Sequence, residues 1–494
     1  MSLLDFWPNQ KNCLDCIKPE AENPADAVFL AVHQPMRLKR GRLKTLASKS
    51  SGETRTEEEF LDELLRDDPS GAVLLPILGE SGIGKSHLVR WLDVRLRQRE
   101  DASTRHIIRI PKSSSLKSVL RRILEGLKGP RFDEIRSQLQ TAREQMDGIA
   151  AEEKIRAELL IAIRRKFQNA SEEKAKAKTT GATLDPGTKL WFGHGGPTCL
   201  QAILSDTETS KLFMQGTDSR PGIIAELARH LTEDSGDEEA PRRKFEEEDF
   251  DPPKSLESVI AAGAGPHAKR YLAKLNAANK QSLSDATDLL NEIVDDAINP
   301  LATPGEGSLS DLFYEIRQQL LEEGMELVLL VEDFAVLAGL QKALFDAMIR
   351  QAIDQGEKKA CVIRTALAVT TGYFDQFDTV QTRAEHGWYI DEVPEDDESK
   401  TFDRMCDFIG AYLNAARFGA AKLEKQRKAE KGQGYRVTNY TDTTTLTDEE
   451  SSQLEAFGES RSGHHLFPFN RNAIEQLAGH PDERKDGRLK FNPR

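Results

Sequence analysis

Residues 72–87 read AVLLPILGESGIGKSH, an apolar run that passes directly into Gly79-x-x-x-x-Gly84-Lys85-Ser86. The glycine spacing is that of a phosphate-binding loop. Its context is the required one, a short strand before it and the helical pattern His87-Leu88-Val89-Arg90-Trp91-Leu92 after it. Glycines let successive backbone N–H groups turn inward towards phosphate oxygens, and the N-terminus of the next helix adds partial positive charge. On this reading Gly79, Glu80, Ser81, Gly82, Ile83, Gly84, Lys85, Ser86 and His87 are expected to hold ATP, with Lys85 on the β- and γ-phosphates and the Ser86 hydroxyl on Mg²⁺. A strand-turn-helix connection without a ligand is the alternative.

Phosphoryl transfer to water also needs a carboxylate for the metal and a polar group for the attacking water. Leu327-Val328-Leu329-Leu330-Val331-Glu332-Asp333 offers both. Its five apolar residues suit a strand covered on both faces. Its acids fall at the C-terminal end, where open α/β sheets bind ligands. Neighbouring strand residues point to opposite sides, so the acids take different roles. Glu332 is expected at Mg²⁺ or its water, and Asp333 at the attacking water. A buried strand with a solvated acidic turn is the plainer account.

With 494 residues, the chain is long enough for several domains. Hydrophobic residues are 38% and charged residues 30%, a balance that excludes a membrane-embedded class, and no apolar run is long enough to span a bilayer. The opening MSLLDFWPNQKNC lacks the pattern of a secretory signal, and five cysteines make no disulfide framework, so a cytoplasmic location is expected. Cys13 and Cys16 form a CxxC pair, but no second pair completes a zinc site, which leaves ordinary thiols as the better reading. The net charge of −14 argues against a chain that coats nucleic acid along its whole surface. The stretch 105–131 is the exception, with eight Lys or Arg and one acid, and it is the candidate contact for duplex DNA. A packed helix with a solvated basic side explains it equally well.

The organisation expected is an α/β P-loop NTPase core with a parallel sheet, a large, mostly helical insertion and a C-terminal helical lid. Residues 1–70 form an N-terminal segment in which Arg37, Lys39, Arg40, Arg42 and Lys44 make an anion-binding arm or a solvated loop. Residues 71–111 and 321–395 form the two parts of the core, with strands near 72–78, 106–110, 326–332, 363–371 and 388–391. Residues 112–320 form the insertion. Within it Glu233–Asp251, with ten acids and three basic residues, is expected to be a mobile linker. Gly193-His194-Gly195-Gly196 reads as a loop that could also approach a ligand. Residues 396–494 form the lid. Its last residues, Phe491-Asn492-Pro493-Arg494, resemble a helix start, which predicts that the native chain continues.

Taken together, the P-loop and the distant acid-ended strand resemble the additional-strand P-loop ATPases of the AAA+ and signalling-ATPase type. In that family the second motif usually ends Asp-Glu, whereas here it ends Glu-Asp. The resemblance implies a sensor at the end of the strand Cys361–Thr371, matched by Thr370 and Thr371. It also implies an arginine finger near Arg383, acting across the boundary of a homo-oligomer, and a second sensor near Arg494. The stretches FLAVHQPMRL, LGESGIGKSHLVRWL, RHIIRIPKSSSL, LVLLVEDFAVLAGLQ and RTALAVTTGYF resemble ATP-binding proteins of bacterial anti-phage systems. The DpdH-type proteins of 7-deazaguanine DNA-modification clusters are the nearer match and the BREX ATPases the more distant one. This implies partner proteins of a defence or DNA-processing complex. A nucleotide switch with little turnover is the second reading, and a P-loop kinase the third.

Overall fold

The computed structural model describes residues 3–17, 24–42, 53–80, 82–111, 116–144, 148–180, 183–193, 195–216, 220–232, 243–251, 254–276, 280–302, 309–333, 341–354, 356–370, 386–390, 398–429, 446–478, 484–485 and 488–489. Among the described residues, seven strands form the main sheet: β1 (Leu38–Arg42), β2 (Glu53–Arg55), β3 (Ala72–Gly79), β4 (Arg105–Ile110), β5 (Glu326–Val331), β6 (Ile363–Thr370) and β7 (His386–Ile390). Their order is β2-β1-β7-β3-β6-β5-β4. β6 lies between the strand that enters the P-loop and the strand that ends in acids, which is the additional-strand arrangement. This is an α/β P-loop NTPase fold.

The sheet is mixed and mostly parallel rather than wholly parallel. β3 runs parallel to β7, with Ile77 opposite Trp388 and Leu78 opposite Tyr389. β1 runs antiparallel to both β7 and β2. The basic stretch expected as an arm or loop is therefore a strand of the sheet over Leu38–Arg42, flanked by β2 and β7. Leu38 is fully buried, and Arg40 makes a two-pronged ion pair with Glu63, Nε–Oε2 2.6 Å and Nη2–Oε1 3.0 Å. Long basic side chains can cover a sheet with their stems while their heads find partners, so charge alone did not mark a loop here. Lys44 lies outside the described residues.

The chain packs as two compact units. One comprises Met1–Asp67, Leu75–Arg109 and Ala366–Arg494; the other comprises Asp68–Leu74 and Ile110–Thr365. In the first, the helix Glu57–Leu65 starts at Thr56 with a full capping box, in which Glu59 N donates to Thr56 Oγ1 and Thr56 N donates to Glu59 Oε2. That cap sets the helix so that Phe60 meets the buried Trp388 of β7 edge-on at 5.0 Å. The C-terminal helices are Glu398–Phe418, Ala420–Ala429, Asp448–Phe457 and Arg471–Ala478.

In the second unit the long helix Gly148–Thr180 packs against Lys280–Ala302 and Ile223–Thr232. Gly195 explains part of the glycine-rich turn, because a Cβ there would stand 2.1 Å from Ser282 O. That glycine permits a close approach of backbone to helix rather than to a ligand. The expected acidic linker is corrected over residues 243–251. Phe245 and Phe250 are buried in the helical core, each edge-on to Phe213, and Asn291 bonds both the N–H and the carbonyl of Phe245. Arg243 pairs with the buried Asp249. Two aromatic anchors outweigh the local charge, which composition averaged over the stretch could not reveal. Phe250→Ala is expected to destabilise this unit by about 3–5 kcal/mol, read from the urea midpoint of its unfolding transition.

Candidate functional site

β3 is buried from Leu75 to Gly79 and delivers the chain into the loop. Gly82 and Gly84 adopt φ of +87° and +108°, left-handed values that side-chain-bearing residues rarely take. Gly84 is the N-cap of the helix Lys85–Gln98, and its carbonyl accepts from Leu88 N at 3.0 Å. Space excludes a side chain as firmly as conformation does, since a Cβ at Gly84 would lie 2.9 Å from Met36 Cε. A Cβ at Gly79 would lie 2.8 Å from Ile83 Cγ2.

Lys85 is only 6% exposed, and its Nζ donates to Gly79 O at 2.9 Å and to Glu80 O at 2.8 Å. The ammonium is thus held inside the curve of its own loop. Ser86 is exposed at the second position of the helix. These residues fit a nucleotide polyphosphate, for they combine the N–H groups of a helix N-terminus, an ammonium and an exposed hydroxyl at one turn. Ser81 lies outside the described residues.

His87 is not a cationic phosphate ligand. Burial, then the neighbouring His33 and Arg90, push its imidazole down to about 3. Its Nε2 shares a hydrogen with His33 Nδ1 at 2.8 Å, and His33 Nε2 meets Glu57 Oε2 at 2.8 Å. Glu57 is 2% exposed and uses its other oxygen to accept from Met36 N at 3.0 Å. Phe29 packs on His87 with centroids 4.6 Å apart, and Trp91 stacks on His33 at 5.9 Å. Sequence reasoning placed His87 in the loop but did not assign His33, Glu57 or Met36. No local spacing connects these residues to it.

In the second unit β5 is buried from Leu327 to Val331, and Glu332 N still donates to Ile110 O at 3.0 Å. Glu332 and Asp333 follow, both half-buried. Thr370 ends β6 and is also half-buried, while Thr371, Arg383 and Arg494 lie outside the described residues. Of the basic stretch, Arg105 pairs with Asp101 at 2.6 Å, which holds that carboxyl well below the usual range. Arg131 pairs with Glu134 and Glu315. Arg121 and Lys128 are exposed, and residues 112–115 lie outside the described set. Cys16 is buried, and desolvation raises its thiol to about 12, which is the state of an ordinary core cysteine. Among the described residues no His, Cys, Asp and Glu group could hold a metal by itself, and no helix is long and apolar enough to cross a membrane.

The partly buried imidazole has a consequence for stability. Unfolded, His87 takes a proton near its ordinary 6.5; folded, it resists protonation until about 3. Between those values the unfolded chain binds more protons, so stability is lost as pH falls through the window. His87→Phe, which preserves the aromatic packing, is expected to flatten the decline of Tm between pH 6.5 and 4, as followed by circular dichroism.

A family model described as an AAA domain matches residues 67–168, a span that contains β3, the P-loop, its helix and β4. No curated protein and no solved structure matches the chain. The family match and the loop geometry together support a P-loop AAA-type ATPase.

Proposed function

We propose that this chain is a Mg²⁺-dependent, AAA+-like ATPase that couples nucleotide state to a conformational or assembly cycle in a bacterial DNA-modification or anti-phage system. The observation that carries the ATPase part is the loop itself, in which Lys85 is buried at the inner curve and Gly84 takes a left-handed turn at the helix start. The defence setting rests on the stretches that resemble such ATPases. Residues 79–87 would hold the nucleotide, with Ser86 and Glu332 as the Mg²⁺ ligands. Asp333 would orient water, Thr370 and Thr371 would sense the γ-phosphate, and Arg383 would reach a neighbour in a homo-oligomer. Bound Mg²⁺ would supply charge neutralisation between β- and γ-phosphates. In support, β3 ends in the P-loop and β5 ends in the two acids, and open parallel sheets bind ligands beyond the C-terminal ends of their strands.

The reversed Glu332-Asp333 order favours one other reading, a nucleotide switch that turns over slowly. The two are separated by Asp333→Ala. An ATPase of the proposed kind keeps its ATP affinity and loses steady-state turnover, whereas a switch shows little turnover to lose. Lys85→Ala should weaken ATP binding by roughly 100-fold in calorimetry, and an unchanged affinity would remove the phosphate-cradle reading altogether.

Partners are proposed to be other proteins of the same complex and duplex DNA, contacted through the stretch 105–131. Duplex DNA is expected to raise the Lys85-dependent ATPase rate, and Arg121→Ala with Lys128→Ala to reduce that stimulation without changing the rate in its absence. A rate indifferent to DNA would sink the DNA contact while leaving the ATPase intact.

A further inference from the structure

The seven-residue helix Asp26–Val32 has two working faces. One carries Ala27, Val28, Ala31 and Val32, which are buried with Cys16 against Ala415, Ala416 and Leu423 of the C-terminal helices. The other carries Phe29, and His33 follows one turn later; both lie against the P-loop helix at His87. On the same side Arg90 of the P-loop helix places its guanidinium 4.4 Å over the Phe29 ring and donates to Pro24 O. The chain continues to Met36, whose Cε occupies the space beside Gly84, and then into β1.

The other end of this segment is anchored as firmly. Arg417, 8% exposed in the helix Glu398–Phe418, donates from Nε to Phe6 O at 3.0 Å and from Nη1 to His465 O at 3.0 Å; its Nη2 donates to Phe467 O. Asn12 Nδ2 donates to Ala416 O at 2.9 Å. Trp7 packs edge-on to Phe467, and Phe6 shares a small apolar cluster with Leu454 and Phe467. The described residues 3–17 and 24–42 thus touch the C-terminal helices at one end and the start of the P-loop helix at the other, all within the first unit.

We propose that this N-terminal segment is the mechanical link between the phosphate loop and the C-terminal helices, with Arg417 as its anchor and the Glu57–His33–His87 chain as its latch. The proposal deepens the nucleotide reading above and rests on it for its input. A phosphate arriving at the loop meets the backbone N–H groups at the helix start and the Lys85 ammonium, and so loads the loop where Gly84 abuts Met36. His33 and Glu57 are positioning residues in this scheme. They fix the segment to the helix that moves, and the packed face of Asp26–Val32 hands the shift to the C-terminal helices. Packed elements with two arrangements can carry such coupling.

The test is hydrogen–deuterium exchange on the full chain, with and without Mg²⁺ and a non-hydrolysable ATP analogue, and the analogue's affinity is measured separately by calorimetry. In the wild type the analogue should slow exchange in Glu398–Phe418 and Asp448–Phe457 by about tenfold. His33→Ala should bind the analogue within about threefold of the wild-type affinity and lose that slowing. Glu57→Gln keeps the size of the side chain and should give a partial loss; it carries the test if His33→Ala does not fold. Arg417→Lys cannot reach three carbonyls and should abolish the response from the other end. A full response in His33→Ala and Glu57→Gln overturns the link, as does a wild type that binds the analogue without any change in these helices. A wild type that binds no analogue overturns the nucleotide reading instead. The link is then judged in the free protein, where His33→Ala must speed exchange in Glu398–Phe418 and an unchanged pattern refutes it.

Discussion

A lysine ammonium at 6% exposure has to be satisfied from within the fold, and the carbonyls of Gly79 and Glu80 accept from Lys85. Those bonds require the backbone between β3 and the helix to curl round the ammonium. The curl in turn requires left-handed glycines at 82 and 84, and at Gly84 the place of a side chain is already taken by Met36. β3 must end where it does for the curl to begin, so the position of the strand in the sheet and the register of Ile77 and Leu78 against β7 are tied to the same constraint.

The solution used at Lys85 recurs at the buried guanidinium groups of Arg317 and Arg417. Arg317 is fully buried and donates twice to Cys361 O and once to Arg350 O; its desolvation lowers its pKa, yet the carbonyls hold it in place. Arg417 does the same with Phe6, His465 and Phe467. A guanidinium presents a rigid fork of five donors, so one side chain can pin several strands of backbone that are remote in sequence. Arg317 fixes the helix Leu309–Glu322 to the entry of β6 in the second unit. Arg417 fixes the N-terminal turn to the C-terminal helices in the first.

Features written in consecutive residues were legible. The apolar runs of β3, β5 and β6 and the glycine spacing each carry their meaning within a dozen residues, and the strands fell within a residue or two of their expected limits. The sequence did not disclose features that depend on remote partners. Arg40 reads as one charge in a basic run until Glu63 is beside it, and Phe250 reads as part of an acidic linker until Phe213 is beneath it. His33 and Glu57 are the extreme case. A histidine after an apolar helix and an acid in the first turn of another have no pattern in common, and only folding brings their atoms to 2.8 Å.

The self-occupied state of Lys85 bears on what nucleotide binding can achieve. A loop whose ammonium stood free would gain the full energy of its contact with phosphate and have little reason to change shape. Here the ammonium already donates to two loop carbonyls, and its bonds to them are themselves charge-assisted, so any that phosphate displaces is set against the contact it gains. A ligand shifts a conformational equilibrium by no more than its differential affinity for the two states. Any bond from Lys85 to Gly79 or Glu80 that phosphate displaces counts towards that differential, because it is lost in the bound state. Binding energy set against those bonds acts on residues 79–85 instead of appearing as affinity, and residue 84 in that segment is where the N-terminal chain lies against the loop through Met36.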